Sequence, residues 1–286
     1  LRRCAKVRRS RLGQSKGLGS KIIFVLVALA FVGSGYLIGR YFLSALLDRP
    51  VGGEPVSGQV PDPSGGTEAT TVQIQTKPVT LYRVQIGAFS TSENAENAAQ
   101  AAIAKGVGAA VMSPDPLYKV YCGITGSKEA ANKLAQTAQP KLAGSVVAEN
   151  DNLYVATTEV ASRSFTITGP KTQVEAIQSA FVKADTAVQS LLAFWDAQYL
   201  GKESQVVISS MESELSALKS ELESMTVDES LKTAHSGAVK IVSELALAAQ
   251  GAKEAAGGDS SKVALGTSTF VKSIDSYIQE LKKLSP

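Results

Sequence analysis

One stretch of this chain is written twice. Leu81-Tyr82-Arg83-Val84-Gln85-Ile86-Gly87-Ala88-Phe89 returns 36 residues later as Leu117-Tyr118-Lys119-Val120-Tyr121-Cys122-Gly123-Ile124-Thr125. The agreement continues without a gap, since Glu93, Ala95, Ala99 and Gln100 recur as Glu129, Ala131, Ala135 and Gln136. Each copy is a strand-like block followed by a helix-like block. Stated twice, such a unit predicts a small sheet with two crossover helices. Alternation puts Tyr82, Val84 and Ile86 on one face of the first strand, with Arg83 and Gln85 on the other. In the second copy Tyr118, Val120 and Cys122 face one way.

The surrounding punctuation extends this into a domain over 80–158. Helix one spans about 92–105, capped by Thr91 or Ser92 and ended by Gly106. Strand two lies at 108–112 and is joined to strand three by the turn Ser113-Pro114-Asp115-Pro116. Helix two covers 127–139. Strand four lies at 145–148, with Leu153–Ala156 as its extension. The order is βαββαβ, an α+β fold in which two helices cover one face of a four-stranded antiparallel sheet and leave the other face open. So short a segment makes a small core. The alanines of both helices permit close approach to the sheet.

The rest of the chain has a different character. Residues 1–21 hold eight cations (Arg2, Arg3, Lys6, Arg8, Arg9, Arg11, Lys16, Lys21) and no acid. Ile22–Ile38 is uncharged, and apolar residues resume after Arg40. About 20 helical residues cross a bilayer core of roughly 30 Å. The charge bias then predicts a basic cytoplasmic tail at 1–21, a transmembrane helix with its juxtamembrane end at 22–47, and everything beyond outside the cytoplasmic membrane. A cleaved signal peptide is the competing reading, with Val32-Gly33-Ser34-Gly35 as a weak cleavage candidate. Residues 48–79 read as a Pro/Gly-rich linker that buries too little apolar surface to fold. The two cysteines, Cys4 and Cys122, fall on opposite sides of the expected membrane, so free thiols are expected.

Residues 164–286 read as an all-α four-helix bundle over Pro170–Tyr199, Glu203–Met225, Val227–Gln250 and Ser260–Leu284. Met211, Leu215, Leu218, Leu222 and Met225 follow a bundle-seam spacing, as do Val263, Thr267, Phe270, Ile274, Tyr277 and Leu281. Short connections imply antiparallel neighbours.

No catalytic pattern stands out. The chain has one histidine, His235, and no zinc-hydrolase, nucleophile-elbow, phosphate-loop or dinucleotide signature. Glu212 with Glu214, and Glu221 with Glu223, read as solvated helix faces. We expect no enzyme activity, no metal and no cofactor. The open sheet face is the better candidate. There Arg83 and Gln85 lie beside Leu117, Lys119 and Tyr121, which together offer an aromatic ring, an amide and two cations. Such a surface suits a sugar chain, whose ring faces are apolar and whose rims carry hydroxyl and acetamido groups. A plain solvated face is the alternative.

The Val84-Gln85-Ile86-Gly87-Ala88-Phe89 block, the internal repeat and the element order together resemble the sporulation-related repeat, or SPOR, domain over residues near 80–158. The resemblance implies recognition of peptidoglycan glycan strands stripped of their stem peptides at division or sporulation septa, through the open sheet face. It also implies a bitopic plan of tail, single span, linker and external domain. Gln85 matches a recurrent strand-one contact. Leu117 stands where some members carry an aromatic residue, and Tyr121 can supply a ring instead. The helical region resembles no family we recognise, and reads as a module for a protein partner or self-association. Base stacking on an RNA-recognition-like sheet is a third reading. The few exposed rings, the balanced charge of 81–157 and the external location argue against nucleic acid.

Overall fold

The computed structural model describes residues 69–112, 116–144, 146 and 152–285. The doubled block folds as its alternation predicts. Strands β1 (Ala69–Gln75) and β2 (Val79–Phe89) lead into α1 (Ser92–Ala104), β3 (Ala110–Met112), β4 (Tyr118–Thr125) and α2 (Lys128–Leu142). Then come β5 (Tyr154–Val160) and β6 (Ser164–Pro170), followed by α3 (Lys171–Leu200), α4 (Ile208–Ser224), α5 (Lys232–Ala255) and α6 (Ser260–Leu284). From β2 to β5 the order is βαββαβ, and these strands form an antiparallel sheet in the spatial order β3-β4-β2-β5. The side chains of Thr91 and Ser127 cap α1 and α2 by accepting from the backbone N–H of Asn94 and Ala130. Ala95, Ala99 and Ala102 of α1, with Ala131, Leu134 and Ala138 of α2, close over Val84, Ile86, Val120 and Cys122. Each large aliphatic side chain so buried contributes about 1.5–3 kcal/mol.

Two strands were not expected. Residues 69–75 belong to the segment read as linker, and 164–170 to the segment read as helical. They pair as a two-stranded antiparallel ribbon, from Ala69 opposite Pro170 to Gln75 opposite Ser164. The ribbon continues the β2–β5 ladder across a break at 76–78 and 161–163. Thr76 bridges that break: its N–H donates to the Arg163 carbonyl and its Oγ1 accepts from the Arg163 N–H, both at 2.9 Å. The strand expected at 145–148 lies almost wholly outside the described residues, and β5 supplies the fourth strand. The basic tail, the span at 22–47 and the linker to residue 68 also lie outside them. Among the described residues, no helix is long and apolar enough to cross a membrane.

The four long helices run in alternating directions. Leu222 of α4 meets His235 of α5, and Glu212 meets Lys253. Across α5 and α6, Gly237 lies near Leu284 and Gly251 near Gly266. Across α3 and α6, Trp195 stacks on Phe270, and Tyr277 reaches back to Asp185. The third long helix, expected to end at Gln250, runs through Gly251 and continues to Ala255. A Cβ at Gly266 would lie 2.5 Å from the Gly251 carbonyl oxygen, so the glycines serve close helix approach rather than termination. The second long helix starts at Ile208, later than expected, and the third starts at Lys232 because Asp228 caps a 3-10 turn at Glu229–Leu231 before α5 begins.

The largest departure concerns the sheet face expected to be open. Leu81, Ala110, Met112, Tyr121 and Ile124 on that face share one core with Ile177, Phe181, Trp195, Phe270 and Ile278 of the helices. The attachment is tight. A Cβ at Gly108 would lie 2.5 Å from the Thr267 Cβ, and Ala109 donates its buried N–H to Ser268 Oγ at 2.9 Å. Asp196 of α3 accepts from the Gly126 N–H at 2.9 Å. Asp185, itself buried, accepts from the Lys77 N–H at 2.8 Å and from the Tyr277 hydroxyl at 2.5 Å.

Two outcomes follow. Asp185→Ala removes the acceptor for a backbone N–H and a buried hydroxyl, and should lower stability by about 3 kcal/mol in urea unfolding. Cys122 is fully buried, and desolvation pushes its thiol up to about 12. Its alkylation at pH 8 should therefore proceed only at the rate at which the domain opens, read by peptide mass mapping with and without denaturant.

Candidate functional site

Two of the residues singled out on the sheet, Gln85 and Tyr121, are set opposite one another by a pair of irregularities. Along the β2–β4 ladder, Val84 lies opposite Gly123, Gln85 opposite Tyr121, and Gly87 opposite Val120. The slip at Cys122 is undone by the slip at Ile86, so the register before and after is the same. Both extra residues point into the core beneath α1 and α2. Without these bulges Gln85 would face Cys122. With them it stands directly opposite Tyr121, and side chains on paired positions of one face lie about 5 Å apart at their Cβ atoms. On its other side Gln85 is paired with Tyr154 of β5. The amide therefore sits between two tyrosines, one from the second copy of the repeat and one from the last strand.

These two rings differ. Tyr121 is 5% exposed and carries the Arg83 guanidinium over its face at 5.7 Å. A cation held on a ring in this way is pre-positioned at a gain of about 0.5–1 kcal/mol. The Arg83 Nε–H is buried without an acceptor among the described residues. Tyr154 is 65% exposed, a large side chain left facing water. Sequence reasoning placed Tyr154 in the extension of strand four and assigned it no role. Its position two residues before Ala156, on the face shared with Arg83, was the available signal.

Arg83, Gln85, Lys119 and Tyr121 line one cleft of about 480 Å³, together with Tyr154. Leu117 is not among the lining residues. It lies just before β4 at 40% exposure. The opposite wall is Asp275, Ile278, Gln279 and Lys282 of α6. Glu159 and Arg163 close the end nearest the ribbon, where an Arg163 Nη donates to the Ser285 carbonyl at 3.5 Å. Among the described residues, Arg83, Lys119 and Lys282 take part in no ion pair. The cleft thus combines an amide, an exposed ring and unpaired cations. Groups of these kinds can engage a ligand by hydrogen bonds, stacking and charge.

The other sequence candidates have structural partners. His235 Nε2 meets the Leu222 carbonyl at 2.8 Å, at the end of α4. Glu212 accepts from Lys253 at 3.0 Å, Glu214 from Ser210, and Glu223 pairs with Lys219. Among the described residues, no group of His, Cys, Asp or Glu is arranged to hold a metal ion.

Comparison with known proteins agrees with the geometry. Neither a curated protein nor a solved structure matches the chain significantly. Residues 78–148 match the SPOR domain. That span contains β2 to β4 with α1 and α2, hence both copies of the repeat and all five residues singled out on the sheet. It stops short of β5 and of every long helix. The doubled strand-helix unit at the centre of this chain is a SPOR domain, a peptidoglycan-binding module of septal localisation.

Proposed function

We propose that this chain is a membrane-anchored, non-enzymatic protein whose SPOR domain holds denuded glycan strands at division or sporulation septa through the cleft around Gln85. The observation that carries this reading is the convergence of Arg83, Gln85, Lys119 and Tyr121, from both copies of the repeat, on one cleft beside the exposed ring of Tyr154. A pyranose presents an apolar face to a ring and equatorial hydroxyl and amide groups to its sides. An amide flanked by two tyrosines complements that pattern. The uncharged run Ile22–Ile38 behind a basic tail supports anchoring with the folded region outside.

A second reading gives the helical region a protein partner or a self-association role, with the SPOR domain as its address. Its support is a groove of about 490 Å³ between α3 and α4, flanked by the exposed side chains of Val182 and Val207. Substituting both valines by Asp should leave glycan binding intact while abolishing co-purification or dimerisation of the full chain.

The first reading is tested by sedimenting the protein with purified sacculi. Amidase treatment, which strips stem peptides, should raise the bound fraction several-fold. Gln85→Ala should lower it about tenfold with an unchanged melting temperature, the loss of one or two hydrogen bonds to a ligand. Equal retention on treated and untreated sacculi defeats the selective reading.

A further inference from the structure

We infer that α6 forms a second wall of the glycan cleft, and that Gln279 and Lys282 bind the strand together with Gln85 and Lys119. This rests on the glycan reading above and extends it to a helix outside the residues matched as SPOR domain.

A bare antiparallel sheet face offers a ligand a flat surface. Here the first half of α6 is fixed across the sheet: Thr267 packs against Gly108, and Ser268 receives the Ala109 N–H. The same straight helix then passes beside the part of the sheet that stays accessible. Asp275, Gln279 and Lys282 follow one another at four- and three-residue steps, and so share one stripe of the helix. That stripe lines the cleft opposite Arg83 and Lys119. Asp275 and Gln279 are partly exposed, and Lys282 is exposed. The flat face is thereby turned into a slot with one wall of strand and one of helix.

The charge pattern identifies the chemistry of the occupant. Lys282 joins Arg83, Lys119 and Arg163 around the cleft, four cations against two acids, Asp275 and Glu159. An excess of positive over negative charge in a cleft favours an anionic ligand. A glycan strand is neutral where its lactyl carboxyl is held in an amide to a stem peptide. It is anionic where that peptide has been removed. The same removal takes away the bulk that a walled slot excludes. Charge and width therefore select the same ligand, a strand bearing free lactyl carboxylates, and α6 contributes to both.

The test uses the full chain, with amidase-treated and untreated glycan strands as probes and retention as the readout. Gln279→Trp, which fills the slot, should abolish binding to treated strands. Lys282→Glu should weaken it about tenfold and reduce its dependence on salt. Lys272→Glu, an equal charge change on an exposed position of α6 outside the cleft, should bind as the unsubstituted chain does. Wild-type retention by both Gln279→Trp and Lys282→Glu, while Gln85→Ala loses it, overturns the role of α6 and leaves the sheet-face reading standing. Equal weakening by Lys272→Glu reduces the effect to net charge and likewise overturns the inference. Failure of the unsubstituted chain to bind treated strands overturns both. Lys282 is exposed, so its variant decides the matter even where the Trp substitution disturbs folding.

Discussion

A single buried carboxylate holds three parts of this molecule in register. Asp185 lies in the middle of α3, accepts a backbone N–H from the break between β1 and β2, and accepts the hydroxyl of Tyr277 from α6. Burial, together with the hydrogen bond to Asp185 and the charge of that residue, pushes the Tyr277 phenol far above its ordinary range, so it remains a donor at any physiological pH. The arrangement fixes where the ribbon stops and the sheet begins, and at what distance α6 passes. Every later feature of the cleft depends on that distance.

The partial closure of the sheet follows. A SPOR-sized unit has too little apolar surface for a deep core on its own. Here the apolar side chains of its second face, Leu81, Ala110, Met112 and Ile124, are packed into the core shared with the helices. The polar part of the face, along Arg83, Gln85 and β5, stays accessible as the cleft. One face thus serves two purposes along its length, and the boundary between them runs through Tyr121. That ring is packed into the shared core and lines the cleft as well. The helical region is structurally continuous with the cleft.

Much of this was legible in the residues. The repeat gave the element order, a cap at Thr91 or Ser92 and a start near Ser127 marked the two short helices, and the heptad-like spacing located the buried seams of α4 and α6. Three things were not legible. β1 and β6 read ATTVQIQ and SFTITGP, threonine-rich and half-exposed, and β1 adjoins a Pro/Gly-rich stretch. They become strands only because they pair with each other. The paired bulges at Cys122 and Ile86 leave no trace in the alternation, since the register is the same on either side of them. The covering of the sheet depends on the distant helices α3 and α6. The apolar Leu81 and Ile124 on the supposedly open face were its only local sign, and each was readable as an ordinary strand residue.

The ribbon also bears on mechanics. From Ala69 the chain runs through β1, the Thr76 bridge and β2 to Gln85 almost entirely as extended strand. Extended backbone is near its full length and has little slack to release. A pull arriving at Ala69 and resisted at Gln85 would therefore pass along covalent backbone, with the flanking ladders loaded in parallel instead of opened bond by bond. The path from Ala69 to Gln85 therefore has little compliance of its own.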